Sequence, residues 1–470
     1  MITFPEGFLW GAATSHFQVE GNPSEISTRC SDWAEWTVAD GRIADRTTAD
    51  QACQFFNRYP DDLELLNQLN LNTFRISLNW PAICPDANGS GLLLSIDSGQ
   101  IEHYRQLLRR LKGQGIKTFV TLFHFCLPKR LADRGGWLNP ATPEEFGRLA
   151  EIVAREYKGL VDYWITLNEP LAYTYQGYIC GAWPPGLKHS YDDAFQCIHN
   201  MLKGHALAYQ AIHAEDPHAR VSYTMHWRPF IARNKLSPTD QMVRHLRDAV
   251  FNHLFPKSVQ SGKLQFPFPF SLKKAVEPLS GTIPGLKDAM DYLAINYYTR
   301  DVCEFSYEPP FDLFGVKTVK SEIEVNGMGW ESYPEGLYNV LTEEIAPYRF
   351  DSKGFERPII ITENGYASVF PADMTDGNWS LDDQARISYL KSHLLAIHEA
   401  IKHGANVQGY LHWALLDNFE WSEGLRIRFG LVRVAYPTQV RTLRQSAHYY
   451  AQIARQNGLD AGDTGNGLAR

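Results

Sequence analysis

Short runs of apolar residues recur along the whole chain and predict eight β-strands. Most of these runs are continuously apolar rather than alternating, which is typical of strands buried on both faces, as in a parallel sheet covered by helices. The predicted strands are Phe8–Ser15, Thr73–Ser77, Ile116–Phe123, Tyr163–Glu169, Val221–His226, Tyr292–Tyr298, Pro358–Gly365 and Val407–Asp417.

Segments with helical spacing of apolar residues separate these runs. The pattern alternates between strand and helix, and no linker rich in Pro, Gly or Ser divides it. It therefore predicts an α/β fold with a single (β/α)8 barrel, the TIM barrel, over residues 1–458, with a doubly wound sheet as the alternative. Residues 459–470, rich in Gly and Asp, are predicted to form a flexible tail. The predicted helices are Asp62–Leu69, Ile101–Leu111, Phe146–Tyr157, Ala194–Ile212 and Asp382–His403.

A barrel also predicts where function lies, because side chains at the carboxyl-terminal ends of the strands line the active site. Asn168 and Glu169 end one apolar run, Glu363 and Asn364 end another, and His124 follows a third. Two facing carboxyl groups roughly 5 Å apart can cleave a glycosidic bond with retention, since one protonates the leaving oxygen while the other attacks the anomeric carbon. Glu169 and Glu363 are the candidates, although a single Glu at a strand end is as often part of an ion pair.

The composition of the chain argues against several classes of protein. Apolar residues make up 44% and charged residues 21% of the chain, as in ordinary folded proteins. The net charge of −8 and the lack of a Lys/Arg run argue against a nucleic-acid or anionic-membrane partner. The 7 cysteines lie far apart without a CxxC motif, so they predict reduced thiols rather than disulfides or a zinc site. No apolar run approaches the length of a membrane span.

Several motifs occur in a fixed order: FPEGFLWGAATS from residue 4, FQVEG, GGWLN, TLNEP, ITENG and LLDNFEW. Together they resemble the family 1 glycoside hydrolases, the β-glucosidase family, over nearly the whole chain. The resemblance implies a retaining β-glycosidase with Glu169 as general acid/base and Glu363 as nucleophile. It implies terminal β-D-glucosyl residues, with β-D-galactosyl or β-D-fucosyl residues as further options, cleaved from small β-glycosides through a covalent glycosyl-enzyme. No cofactor and no metal are implied.

The resemblance assigns further residues to the site. Arg75 in FRIS and Tyr298 in NYY would favour the ionised form of Glu363. Without the resemblance, Arg75 would be a structural ion pair and Tyr298 a packed core residue. Asn168 would bind the 2-hydroxyl group, Trp413 would lie beneath the sugar ring, and Trp330 would form an aromatic platform for the leaving group. The residues implied to hydrogen-bond the innermost sugar are Gln18, His124, Asn168, Asn296, Glu420 and Trp421.

Glu420 also bears on substrate choice, because a carboxylate at the O4/O6 end of the pocket would repel a sugar 6-phosphate. Relatives that act on 6-phospho-sugars replace this Glu and carry a Ser and a Lys nearby, whereas this segment is FEWSEGLRIRFG. The basic residues of this segment are Arg426 and Arg428, and an Arg at position 428 resembles the ordinary family pattern. A free sugar is therefore predicted.

The chain also departs from the family pattern. The loop after Gln18 is not the usual glycine-rich stretch and keeps Trp33 as its recognisable anchor. Cys126 in HFCLP stands where the family has Asp, so a carboxylate near His124 is predicted to be lost. Two further segments, LNWPAICP and VRVAY, also differ from the family pattern. One predicted helix carries His199, His205 and His213, which the family match assigns to packing rather than to metal binding.

Two alternatives to a hydrolase stay open from the sequence. A barrel that binds sugar without catalysis is possible because fold does not ensure activity, and a transglycosidase would use the same intermediate with a sugar acceptor. The first predicted strand begins a few residues after Met1, which together with the absence of signal-peptide regions predicts a cytoplasmic protein acting on small glycosides. The preferred sugar, the aglycone and the oligomeric state are not predicted.

Overall fold

Eight parallel strands form a closed barrel in the computed structural model, as predicted. Strand order follows the chain, and the last strand pairs with the first through Gly409 to Leu9 and Trp413 to Ala13. The model describes residues 2–21, 30–50, 52–85, 95–268, 276–307, 316–319, 325–369 and 383–460. The barrel strands are β1 (Leu9–Ala13), β2 (Thr73–Ser77), β3 (Lys117–Phe123), β4 (Tyr163–Asn168), β5 (Val221–His226), β6 (Leu293–Asn296), β7 (Ile359–Asn364) and β8 (Val407–Trp413).

Each strand lies within a predicted apolar run, and several end earlier than predicted. Glu169 falls just outside β4 because its φ of 41° is left-handed, a conformation incompatible with an extended strand. Residues 414–417, predicted as part of the last strand, follow β8, which ends at Trp413. At both places the chain leaves the sheet beside a predicted site residue, Glu169 after β4 and Trp413 at the end of β8.

Helices follow the barrel strands on the outside. The predicted helix Asp62–Leu69 instead begins earlier and is divided into two at Leu63, and residue 382, the predicted start of another, lies outside the described residues. The α-helices of the described residues are α1 (His16–Val19), α2 (Asp32–Val38), α3 (Phe55–Asp62), α4 (Glu64–Gln68), α5 (Trp80–Ile83), α6 (Ser98–Gly113), α7 (Lys129–Ala132), α8 (Thr142–Glu156), α9 (Pro170–Thr174), α10 (Tyr191–Glu215), α11 (Pro238–Phe251), α12 (Leu254–Ser261), α13 (Pro334–Asn339), α14 (Gln384–Lys402) and α15 (Gln445–Gln456).

Short sheets surround the barrel. A three-stranded sheet beside the barrel mouth contains Phe230–Ala232, Asp301–Phe305 and Val316–Val319. Ile2–Thr3 pairs with Gly458–Leu459, so the two ends of the described chain meet; residues 461–470, most of the predicted tail, lie outside the described residues. The remaining pairs are Lys263–Leu264 with Gly281–Thr282, Ser368–Val369 with Ile427–Arg428, and Val432–Ala435 with Val440–Leu443.

The barrel interior changes character along its axis. At one level, Phe119 stacks on Tyr163 with ring centroids 4.2 Å apart, and Tyr292 packs edge-on against both rings. Toward the carboxyl-terminal ends of the strands, the interior instead contains Asn296 and the guanidinium group of Arg75, which reaches Asn168 and Glu363; both residues are fully buried. The polar interior is therefore at the carboxyl-terminal mouth, where barrels of this kind carry their active sites. Within the described residues, no helix is long and apolar enough to cross a membrane.

Candidate active site

A cavity of about 300 Å³ opens at the carboxyl-terminal mouth of the barrel, within the size range of small-ligand sites. Nine of the predicted site residues line the cavity: His124, Asn168, Glu169, Tyr298, Trp330, Glu363, Trp413, Glu420 and Trp421. The other three, Gln18, Arg75 and Asn296, lie directly behind its wall and hydrogen-bond residues that line it. All twelve therefore belong to one cluster.

Glu363 is held by two donors near the end of β7. Arg75 Nη1 donates to its Oε1 at 2.6 Å and the Tyr298 hydroxyl donates to its Oε2 at 2.6 Å. Burial raises the pKa of Glu363 to about 7, and the nearby charge of Glu169 adds to this, while Arg75 and Tyr298 oppose it. Both oxygens are thus fixed, and the carboxylate form of Glu363 requires a pH near or above neutrality.

Glu169 lies one residue beyond β4 and has different partners. Its backbone N–H donates to Thr224 Oγ1 at 3.1 Å, which supports the left-handed turn. Asn296 Nδ2 donates to Glu169 Oε1 at 2.7 Å, and His226 Nδ1 lies 3.0 Å from Oε2. Burial raises the pKa of Glu169, but His226, Asn296 and Arg75 outweigh it and hold that pKa below its ordinary value. One carboxyl is thus paired with an arginine and the other with a histidine.

Asn168 and Arg75 connect the two carboxyls. Arg75, fully buried, donates through Nη2 to Asn168 Oδ1 at 2.6 Å and through Nε to Thr121 at 3.1 Å. Asn168 Oδ1 also accepts from Thr224 Oγ1 at 2.8 Å and from Asn296 Nδ2 at 3.2 Å. Three donors on one amide oxygen fix the orientation of Asn168. Its Nδ2 therefore faces the cavity.

The contact with Asn168 determines the tautomer of His124. Because Asn168 Nδ2 is a donor, His124 Nε2, 3.2 Å away, accepts, and Nδ1 carries the hydrogen. His124 Nδ1 is buried and has no hydrogen-bond partner among the described residues. Burial, with Arg75 and His16, lowers the pKa of His124 well below its ordinary value. The thiol of Cys126 is buried too, and no carboxylate in the described part of the chain orients this ring, as the substitution of Asp by Cys predicts.

Glu420 and Gln18 form the far end of the pocket. Gln18 Nε2 lies 3.2 Å from Glu420 Oε2, and Ser15 donates to Gln18 Oε1 at 2.6 Å. Burial raises the pKa of Glu420 to about 8, and the charges of Glu363, Glu423 and Glu169 contribute. The raised pKa of Glu420 weakens, at neutral pH, the charge repulsion of a sugar phosphate that the sequence predicts.

Aromatic rings form the walls. The rings of His124 and Trp413 are stacked with centroids 5.9 Å apart. Trp33, the anchor predicted in the loop after Gln18, packs 4.7 Å from Trp421, whereas residues 22–29 of that loop lie outside the described residues. Trp330 packs 5.3 Å from Tyr298, whose hydroxyl donates to Glu363.

Three aromatic residues that received no role from the sequence lie at or behind the outer wall. Trp183 lines the cavity and packs 4.7 Å from Phe125. Tyr173 and Tyr178 are buried behind that wall. Each of the three histidines of α10 makes a hydrogen bond to a neighbouring segment. His199 bonds to the Leu279 carbonyl, His205 to the Ala289 carbonyl, and His213 to the Asp291 carboxylate.

Sequence reasoning missed three residues that line the cavity, His226, Arg228 and Arg247. His226 is the last residue of β5, so the strand-end rule that selected Glu169 could have selected it too. Arg228 follows two residues later and Arg247 lies on α11; both line the cavity. No local pattern marks these arginines, because exposed helices and loops commonly carry them.

Three comparisons bear on this site. The family model described as "Glycosyl hydrolase family 1" matches residues 1–459. Beta-glucosidase A of Thermotoga maritima is 31% identical over 97% of this chain and 99% of its own length, and a 6-phospho-beta-galactosidase of Staphylococcus haemolyticus is 30% identical over 97% and 99%. The structure of the family 1 b-glucosidase from Thermotoga maritima superposes with a TM-score of 0.85 at 29% identity, covering 98% of this chain and 99% of that one.

Proposed function

The chain belongs to glycosyl hydrolase family 1 and is a glycoside hydrolase, and on that premise we propose that it hydrolyses terminal β-D-glucosyl residues of small β-glycosides with retention of configuration. β-D-Galactosides and β-D-fucosides are further candidate substrates. The observation that carries the proposal is the asymmetric surroundings of the two carboxyls: Arg75 and Tyr298 hold Glu363, whereas Asn296 and His226 hold Glu169.

The first step forms the glycosyl-enzyme. Glu363, ionised and oriented by Arg75 and Tyr298, attacks the anomeric carbon while Glu169 protonates the departing oxygen. The C–O bond to the aglycone breaks, its electron pair takes the proton of Glu169, and a new C–O bond joins the sugar to Glu363. A sugar above Glu169 excludes water, which favours the protonated carboxyl that this step requires.

The second step releases the sugar. Glu169, now ionised, takes a proton from water as the water attacks the anomeric carbon and the bond to Glu363 breaks. Asn168 and His124 face the same space, and we assign them to the sugar hydroxyls, with Asn168 at the 2-hydroxyl. Gln18, Asn296, Glu420 and Trp421 complete the hydroxyl contacts, Trp413 lies under the ring, and Trp330 supports the leaving group.

The test is a panel of 4-nitrophenyl β-glycosides run beside Glu363→Gln. We expect glucoside turnover by the wild type, with galactoside and fucoside turnover measured alongside. NMR of the first product should show the β-anomer before mutarotation. An initial α-anomer would reject retention, and a wild type inert toward every glycoside would leave a sugar-binding barrel. Products elongated by added sugar would identify a transglycosidase.

A further inference from the structure

We propose that Asp248, His253 and Glu344 form a binding site for one divalent transition-metal ion on the outside of the barrel, with Zn²⁺ as the representative ion. One ligand atom from each residue, an imidazole nitrogen and two carboxylate oxygens, lies within 4.8 Å of the others. None of the three residues lines the active-site cavity. The site is therefore separate from the hydrolytic reaction, and its test does not depend on the proposed function.

The three residues come from two separate segments of the outer helical layer. Asp248 lies in the last turn of α11, and His253 is the second of the two residues between α11 and α12. The Asp248 carbonyl accepts from the His253 backbone N–H at 3.2 Å, which fixes the two residues relative to each other. Glu344 is far away in the chain, at the end of the helical segment Val340–Glu344. A metal ion here would join the helices that follow β5 to a segment that precedes β7.

The His253 ring presents Nε2 to both carboxylates. Nε2 lies 3.6 Å from Asp248 Oδ2 and 3.5 Å from Glu344 Oε2. The other nitrogen, Nδ1, lies 2.7 Å from the Tyr348 hydroxyl, and the ring packs edge-on against Trp227 with centroids 5.2 Å apart. A histidine that binds a metal usually hydrogen-bonds a neighbouring group through its other nitrogen, which fixes the ring. The ring of His253 thus has the orientation that a metal ligand needs.

The two distances to Nε2 suit a metal ion better than a shared proton. Hydrogen bonds between nitrogen and oxygen are usually about 2.9 Å long, and both contacts are clearly longer. Bonds of about 2.0 to 2.1 Å to a tetrahedral Zn²⁺ separate two ligand atoms by roughly 3.4 Å. The observed spacing of Nε2 from each carboxylate is close to that separation. One nitrogen and two oxygens are a common protein ligand set for zinc, with water as the fourth ligand.

The carboxylates supply negative charge and remain accessible. Asp248 Oδ1 accepts from Asn252 Nδ2 at 2.7 Å, which leaves Oδ2 for the ion. His253 and Arg244 hold the pKa of Glu344 below its ordinary value against the effect of burial, so Glu344 is ionised at neutral pH. The side chains of Asp248 and Glu344 are 19% and 42% exposed, so an ion can enter from solvent. Arg244 is a cation close to Glu344, and its charge should weaken metal binding.

The experiment measures Zn²⁺ binding to the EDTA-treated protein by competition with a chromophoric zinc chelator. The wild type is compared with His253→Gln, Asp248→Asn and the control His218→Gln, an exposed histidine of the turn before β5 that lies outside the cluster. We expect affinity to be at least about tenfold weaker in the first two variants and unchanged in the control. Zn²⁺ at about 100 times its Kd should raise the Tm of the wild type by about 3 °C.

Two further measurements keep the test decisive if His253→Gln folds poorly. Because Arg244 repels a cation, Arg244→Gln should bind Zn²⁺ roughly threefold more tightly than the wild type, which a loss of packing would not produce. Mg²⁺ and Ca²⁺ should leave the Tm unchanged, since both prefer sets of oxygen ligands. A wild type that binds no Zn²⁺, or binds it no more tightly than His253→Gln and Asp248→Asn, overturns the site. An equal effect of Ca²⁺ overturns the choice of a transition-metal ion.

Discussion

At the inner end of the cavity, polar groups from several barrel strands bind one another, whereas at the outer end they come from a loop and a helix. Arg75 and Asn296, at the inner end, are fully buried. Arg228 and Arg247, at the outer end, keep 17% and 11% of their side chains exposed, and both contact Asp301. The side chains of the inner end thus fix one another in place, while those of the outer end remain partly in contact with solvent.

Removing the nucleophile should have the largest effect and bears on the inner end alone. In Glu363→Gln, no anion can form the glycosyl-enzyme, so we expect kcat to fall by at least about 10³-fold for every substrate. Steady-state kinetics with several aryl glucosides measure this. Glu343→Gln, an exposed carboxyl outside the cavity lining, is the matched control. Activity in Glu363→Gln within tenfold of the control would contradict the role.

Glu169 stands between the two ends, so its loss should depend on the leaving group. In Glu169→Ala we expect kcat/KM for phenyl β-glucoside to fall about 10²-fold or more, because a basic phenol needs protonation. The value for 2,4-dinitrophenyl β-glucoside should change little. Its turnover should then be limited by release of the sugar and accelerate with azide. An equal loss for both substrates would contradict an acid role for Glu169.

The pH profile of the wild type tests the inner end without mutation. The pKa of Glu363 is about 7, raised by burial, and the pKa of Glu169 lies below its ordinary value, so the two carboxyls together hold one proton between these values and lose it above pH 7. Protonation of the leaving group needs that proton, so we expect kcat/KM for an uncharged glucoside to decline above pH 7, approaching about tenfold per pH unit. A kcat/KM that instead falls between pH 7 and pH 6 would contradict this order of pKa values.

Glu420 tests whether the sugar end discriminates by charge. Its pKa of about 8 means that it gains charge between pH 7 and pH 9. We expect the preference for 4-nitrophenyl β-glucoside over its 6-phosphate to rise roughly fivefold across that interval through like-charge repulsion. Taking the ratio of the two kcat/KM values at each pH removes any change in catalysis that both substrates share. Glu420→Gln should abolish the rise, and persistence of the rise in that variant would contradict the assignment.

His226 gives the smallest effect and links the two ends. Asn at this position can still donate to Glu169 but lacks the charge that lowers the pKa of Glu169. In His226→Asn that pKa should therefore rise, and the acid limb of kcat/KM, which follows the more acidic of the two carboxyls, should move to higher pH by roughly one unit. His245→Asn, exposed on α11, is the control. If this limb of the pH profile does not move and only kcat falls, the role of His226 is packing alone.

The sequence predicts the inner end much better than the outer end, for physical reasons. Each barrel strand lies within a largely apolar run, and both carboxyls lie within recognisable motifs, Glu169 directly after β4 and Glu363 as the second-last residue of β7. The Arg228–Arg247 pair depends on Asp301, far away in the chain, so neither arginine has a local signal. Likewise, the raised pKa of Glu420 arises from its burial and from the charges of Glu363 and Glu169, both of which depend on the folded structure. Side-chain function that depends on distant partners requires the three-dimensional structure.

Closure of the barrel has a consequence for how the protein folds. The seam between β8 and β1 joins Gly409 to Leu9, and Ile2 pairs with Leu459 outside it. Contacts between such distant residues form slowly, because a long loop must close before they contribute. During synthesis, the first strand has to wait for the last one to leave the ribosome. Until then the edge of the first strand that pairs with β8 is unpaired, and an unpaired edge can associate with other chains.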